Sequence, residues 1–274
     1  MKYLFTCLLL LGIHTGYAQE LYVYSEPASN MPAKSISAKL ATSIGDRGGK
    51  TAMQRYTPEI MFGINKNLMI HGAATFSNMH TQNVAWESVY LYSKYRFLSK
   101  DEVHSHFRMA AFAEGGYSRN PVVFDELNVQ GDVSGVQAGL IATQLQHKLA
   151  VSGTVSYTRG IYDEKKVHHA NVVDQAMNYT LSAGYLVLPR EYTSYNQLNF
   201  NVYTEFLAQH AIGDPKTYFI DAAPAIQFIF NSNSKLNLGY RFQLKGNASR
   251  GMQRSFLVSF EHTFFNALRK RKSD

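Results

Sequence analysis

The sequence predicts an all-β chain closed into a single antiparallel transmembrane β-barrel of about twelve strands, and three observations predict it. Segments of 10 to 13 residues alternate apolar and polar side chains with period two, the signature of strands with one apolar and one polar face. Those segments are longer than ordinary globular strands and long enough to cross a bilayer at a tilt. Short connections such as Asn65-Lys66-Asn67, Gln146-His147 and Asn231 to Ser234 alternate with long ones at 118–132 and 159–174, which suits turns on one side and loops on the other.

The predicted strands run over roughly 34–44, 54–64, 68–78, 87–97, 105–117, 133–144, 148–158, 175–187, 196–207, 217–230, 235–245 and 253–265. The last is the clearest: Phe256, Val258, Phe260 and Phe264 share one face, against Ser255, Ser259, Glu261 and Thr263. Leu236, Leu238, Tyr240, Phe242 and Leu244 oppose Asn237, Gly239, Arg241, Gln243 and Lys245 in the same way. Tyr56, Phe97, Phe107, Tyr157, Tyr218 and Phe264 fall near strand ends, where interfacial aromatic girdles belong. Pro58 and Pro224 each remove a ladder donor inside a strand and predict a bulge or a locally broken pairing.

The chain has 274 residues, 45% hydrophobic and 17% charged, a composition that excludes a disordered or low-complexity protein. Its one long apolar run is N-terminal and too short to span a bilayer, which excludes a helical membrane protein. Lys2, the apolar stretch Tyr3–Ile13 and the small residues at Gly16 and Ala18 predict a signal peptide over 1–18, cleaved after Ala18. Cleavage removes Cys7, the single cysteine, so disulfides, zinc thiolates and thiol nucleophiles drop out of the mature chain. Residues 19–33, with Pro27 and Pro32, read as a periplasmic lead-in, with a partial inward plug as the alternative; 34–265 read as the barrel and 266–274 as a basic periplasmic tail.

On the signal peptide, the twelve alternating segments and the terminal strand Ser255–Phe265, the chain resembles the bacterial outer-membrane β-barrel class, in the size range of twelve-stranded porins and transporters. The resemblance covers nearly the whole mature chain. It implies residence in the outer membrane of a Gram-negative bacterium, contact with outer-membrane lipids, and recognition of Ser255–Phe265 by the barrel-assembly machinery. The nine residues after Phe265 depart from the usual terminal aromatic. An even strand count puts both termini in the periplasm.

Function then depends on the inward face, which would carry Lys39, Lys94, Arg96, Arg108, Arg241 and Lys245 against Glu59, Glu114, Glu205, Asp221 and Glu261. These pore-lining candidates are nearly balanced in charge, unlike a strongly ion-selective pore. Gly116, Gly184 and Gly239, each followed by an outward Tyr, leave inward space. The expected function is a passive channel or facilitated transporter for a small solute. The alternative is a non-conducting structural or interaction barrel whose external loops meet a partner.

Catalysis is not expected. An outer-membrane lipid hydrolase needs an outward Ser-His pair with an orienting group, and His262 has only Phe260 and Phe264 two positions away on its own face. No catalytic residue and no cofactor is assigned. His104 and His106, with Asp101 and Glu102, crowd one inferred periplasmic connection and are the metal candidates, and Asp163, Glu164, His168 and His169 share the longest predicted external loop, but neither group has a fixed ligand spacing. The basic run Arg269 to Lys272 suits envelope polymers or lipid headgroups; nucleic acid is not an expected partner of an exported chain.

Overall fold

The computed structural model describes residues 22–46, 52–163, 173–191, 194, 196–214 and 216–269. The predicted signal peptide, His168, His169 and most of the basic tail lie outside the described residues.

Twelve strands form: β1 (Ser35–Asp46), β2 (Met53–Gly63), β3 (Leu68–Ser77), β4 (Ala85–Asp101), β5 (Ser105–Ser118), β6 (Gly135–Gln146), β7 (Leu149–Gly160), β8 (Gln175–Leu188), β9 (Asn199–Ala211), β10 (Tyr218–Phe230), β11 (Ser234–Gly246) and β12 (Arg254–Phe264). Each pairs antiparallel with its neighbours in sequence, and β1 pairs β12 from Ile36 opposite Phe264 to Asp46 opposite Arg254, which closes the barrel. Closure leaves no sheet edge to pair with another chain.

The alternation in sequence becomes a coat and a lining. Leu40, Ile60, Leu91, Leu140, Leu181, Phe256, Val258 and Phe260 stand exposed on the outer surface, while Ser37, Glu59, Thr143, Ser152, Ser182, Glu205 and Ser259 are buried. An exposed apolar band of this extent fits a bilayer, where lipid tails supply the missing contacts.

Strand ends shift by up to four residues from expectation, and three of the shifts have a visible cause. β4 continues to Asp101, past the expected end at Phe97, because a bulge between Arg96 and Leu98 lets it stay paired with β5. β6 starts at Gly135 and not at 133, because Val133 packs inside with Leu127 and Val129 as part of the preceding loop. β9 runs on to Ala211, with Gln209 turned inward onto Leu127. Both prolines keep one ladder and break the other. Pro58 stays opposite Leu40 while the β2–β3 pairing lapses between Tyr56 and Glu59. Pro224 stays opposite Thr204 while the β10–β11 pairing lapses between Ala222 and Ala225. A missing N–H costs a bond on the side it faces, and the register survives.

Of the segment 19–33, read as a periplasmic lead-in with an inward plug as the alternative, the described residues 22–33 lie inside the wall. Residues 22–33 cross the lumen as an inner strap before the chain enters β1, with Tyr22 packed edge-on against Tyr203 at 5.7 Å and Ala28 wholly buried among Tyr92, Ala110, Phe112 and Ile141. From the rim opposite the strand termini, the β5–β6 loop (119–134), expected as an external loop, also folds inward.

Candidate functional site

The lumen is a lining of polar side chains, set by register, on which two inserted segments are held. One row of that lining crosses four adjacent strands at the closing seam. Lys235 lies opposite Glu261, Glu261 opposite Lys39, and Lys39 opposite Glu59. Alternating charge along the row gives Lys235–Glu261 at 2.9 Å and Lys39–Glu59 at 3.3 Å, and Glu59 also meets His71 of β3. Lys39, Glu59 and Glu261 were expected here; Lys235 was not, because it stands at the very start of β11, where a lysine suggests the solvated rim until its partner Glu261 is known.

A second row holds the strap. Glu205 of β9 lies opposite Ser182, Ser182 opposite Ser152, Ser152 opposite Thr143 and Thr143 opposite Arg108. The strap follows this row around the wall. Val23 and Tyr24 donate backbone N–H groups to Glu205 Oε1, both at 2.9 Å, while Ser25 bonds Ser182 at 2.8 Å. Ala28 N–H donates to Thr143 Oγ1 at 2.9 Å, and Arg108 donates to Ser29 Oγ at 2.8 Å. Strap backbone that has no sheet to pair with is thus satisfied by wall side chains. Lys94 of β4, fully buried, completes the attachment: its ammonium reaches Glu26 Oε2 at 2.9 Å, Pro27 O at 2.7 Å and Ser29 O at 2.9 Å. All three ammonium protons find acceptors on the strap.

The inward glycines take their meaning from these segments. A Cβ on Gly239 would lie 2.7 Å from the ring of Tyr24, one on Gly116 would strike the carbonyl of Val129, and one on Gly184 would strike the ring of Tyr203 that supports Tyr22. The space left at Gly239 is occupied by the strap, that at Gly116 by the loop, and that at Gly184 by the wall tyrosine on which the strap rests.

At the opposite end the β5–β6 loop is clamped by the β11–β12 connection. Arg250, 1% exposed, donates to Asp221 Oδ1 at 2.7 Å and to Glu126 at 3.2 and 3.3 Å, with its guanidinium 3.8 Å above the ring of Phe219. Arg241 donates to Asp221 Oδ2 at 2.6 Å and to Glu126 at 3.4 Å. Two cations and two carboxylates therefore form four ion pairs across four segments: β10, β11, the β11–β12 connection and the loop. Ser249 adds a hydroxyl and an amide donated to Asp125 Oδ2. Further along the loop, Gln130 donates to Glu114 at 2.8 Å, and Asp132 meets Arg55 of β2.

Burial works to raise the carboxyl of Glu126, but the guanidiniums of Arg250 and Arg241 outweigh it and hold the group below the ordinary carboxylate range. A depressed folded value means that the clamp is at full strength above the unfolded carboxylate pKa of about 4.3 and weakens as pH falls through the lower folded value. For a conducting barrel the expected result is a rise in bilayer conductance as the pH is lowered from 7 through that value, reversible on return. Conductance that stays level through protonation of the carboxylates would show that the clamp does not depend on this charge.

Of the expected lining residues, Lys39, Glu59, Lys94, Arg108, Glu114, Glu205, Asp221, Arg241 and Glu261 make the lumen contacts above, and Arg96 shares the inward face opposite Ala110 of β5. Lys245 does not. The β10–β11 register shifts between Ile220 and Asp221, so Lys245 lies opposite outward-facing Ile220 and stands exposed at the rim. One extra residue in a strand reverses the face of everything beyond it. Arg55, Lys235 and Arg250 join the cations, and Glu26, Glu87, Glu126 and Asp132 join the anions, so the mixed charge persists.

The histidine candidates diverge. His104 stacks on His147 at 5.0 Å, whereas His106 bonds Asp101, which Arg108 also holds. Outside the wall, His262 Nδ1 lies 2.8 Å from Ser234 Oγ, a hydroxyl contributed by the adjacent strand and invisible to spacing along β12. Its neighbours are Asn233, bonded to the same serine, and Phe264, packed edge-on against the imidazole. An acid on the other ring nitrogen would be needed to orient the imidazole as a base, and the contacts around His262 supply none among the described residues.

A closed twelve-stranded antiparallel barrel with an apolar coat and a polar, segment-filled interior is the architecture of an outer-membrane β-barrel protein. In fold, the chain is similar to an outer membrane channel from Pseudomonas putida F1, with a TM-score of 0.57 and 11% identity over 89% of this chain and 100% of that one. The KdgM porin aligns with a TM-score of 0.49 and 12% identity over 84% of this chain and 99% of that one. At these identities the likeness is one of fold. No protein-family model matches the chain, and no curated protein matches it in sequence.

Proposed function

We propose that this protein is a channel of the Gram-negative outer membrane that passes a small polar solute, and that the strap and the β5–β6 loop are its internal closures. One observation carries the reading: the interior is filled by two segments held through ion pairs and hydrogen bonds, contacts that water or a polar solute can replace. Small barrels built only as scaffolds fill their interior with wall side chains, and twelve strands exceed the eight that side chains alone can fill. Between strap and loop a cavity of about 130 Å³ remains, lined by Tyr24, Arg55, Glu126, Asn128, Asp132 and Arg241 among others. Its mixed charge favours a small zwitterionic or hydroxylated solute over a simple ion. The fold it shares with an outer membrane channel supports the same reading.

In this reading the chain is exported by a signal peptide cleaved after Ala18, is assembled through Ser255–Phe265, and leaves both termini and the tail 266–274 in the periplasm. It is not an enzyme and uses no cofactor. The burial of Lys94 and Arg250 favours a second reading, a permanently closed barrel that serves as a structural or interaction protein. Planar-bilayer recording of the purified full-length protein separates the two. Discrete conductance steps from the unmodified protein are expected. A silent bilayer, with insertion confirmed independently, would replace the channel with the closed barrel.

A further inference from the structure

His80, Glu87 and Asp132 come from three separate places: the β3–β4 turn, the start of β4 and the end of the β5–β6 loop. One ligand atom from each lies within 4.8 Å of the other two. Their side chains are 4%, 3% and 6% exposed, so the cluster is shielded from bulk solvent. His80 Nδ1 and Glu87 Oε1 are 3.2 Å apart, yet His80 Nε2 and Glu87 Oε2 are buried with no hydrogen-bond partner. Such orphaned groups are costly unless something binds them. Asp132 already accepts from Arg55 and, at 3.0 Å, from Asn128, but a carboxylate has about four lone-pair sites and can accept a further ligand.

We propose that His80, Glu87 and Asp132 bind a divalent transition-metal cation that ties the β5–β6 loop to the wall. One imidazole with two carboxylates suits Zn²⁺ or Mn²⁺, whereas Ca²⁺ and Mg²⁺ prefer oxygen alone. A three-ligand set leaves a coordination position for water, and Asp132 also borders the internal cavity from which water can reach it. The 3.2 Å between His80 Nδ1 and Glu87 Oε1 is a spacing that two ligand atoms on one ion can take. The site is independent of solute passage: it would bind metal in a silent barrel as well as in a conducting one.

The test is isothermal titration of ZnCl₂ into the full-length protein in detergent micelles, with folding of every sample checked by the gel-mobility shift that intact barrels show before heating. One saturable site per chain is expected, with affinity reduced more than about tenfold in His80→Ala and in Glu87→Gln. His80→Gln, closer in volume, serves if His80→Ala does not fold. The double variants H104A/H106A and H168A/H169A are expected to bind as the unmodified protein does. The proposal fails if the folded protein gives no saturable heat, if binding persists undiminished in the folded His80 and Glu87 variants, or if either control variant abolishes it.

Discussion

Replacing Lys94 with alanine is expected to free the inner strap and raise single-channel conductance. Lys94 is fully buried and holds three acceptors at once, the carboxylate of Glu26 and the carbonyls of Pro27 and Ser29. Its removal leaves Glu26 without its cation and two carbonyls without donors in a poorly hydrated site. Breaking a buried pair from one side costs about 3–5 kcal/mol, although Glu26 is partly exposed and lowers that figure. The loss falls on strap docking and not on the wall, because Lys94 takes no part in the ladders through its side chain. The barrel should therefore keep its heat-dependent gel mobility while residues 22–33 become cleavable by added protease. An unchanged conductance together with a protected strap would show that the row from Glu205 to Arg108 suffices to hold it. Lys94→Met, which keeps the length of the side chain, separates loss of charge from loss of volume.

Replacing Arg250 with alanine is expected to release the opposite closure. Arg250 connects Asp221 of the wall to Glu126 of the loop and lies against Phe219, a stacking contribution of about 2 kcal/mol when desolvated. Without it Asp221 and Glu126 share Arg241 alone, and about 3–5 kcal/mol of clamp energy is removed. Larger and longer-lived openings at pH 7 are expected, together with loss of the conductance rise on acidification. Arg250→Lys should be intermediate, because one ammonium cannot reach both carboxylates in the geometry of the guanidinium fork. Arg250→Ala that gated like the unmodified protein would place the closing force elsewhere on the loop.

Much of the wall was legible in the sequence. Period-two alternation fixes which face each residue takes, so Lys39, Glu59, Glu114, Glu205, Asp221 and Glu261 could be assigned inward from spacing alone. The exception is informative. Lys245 follows the same alternation on paper, yet a bulge beside it turns it outward, and a bulge here has no sequence mark such as the prolines provide. Glu26, Glu126, Asp132 and Arg250 were not legible as lumen residues. Each lies in a segment without periodicity, where a charge suggests solvent until a buried partner far along the chain is known. The Ser234–His262 contact was hidden for the same reason, since cross-strand neighbours are set by register and not by spacing along one strand.

The sequence by itself therefore determines the wall: an all-β barrel, its coat, its lining and the approximate place of its strands. Those properties rest on a local rule, the alternation of faces along an extended backbone, repeated along every strand. Only the tertiary structure decides what fills the barrel. The strap and the loop are held by contacts spanning up to 182 residues of sequence, such as Val23 to Glu205, and nothing local to either segment encodes them. Their positions follow from the closed wall, whose inward polar groups are buried and require partners. The inserted backbone requires the same, and each satisfies the other.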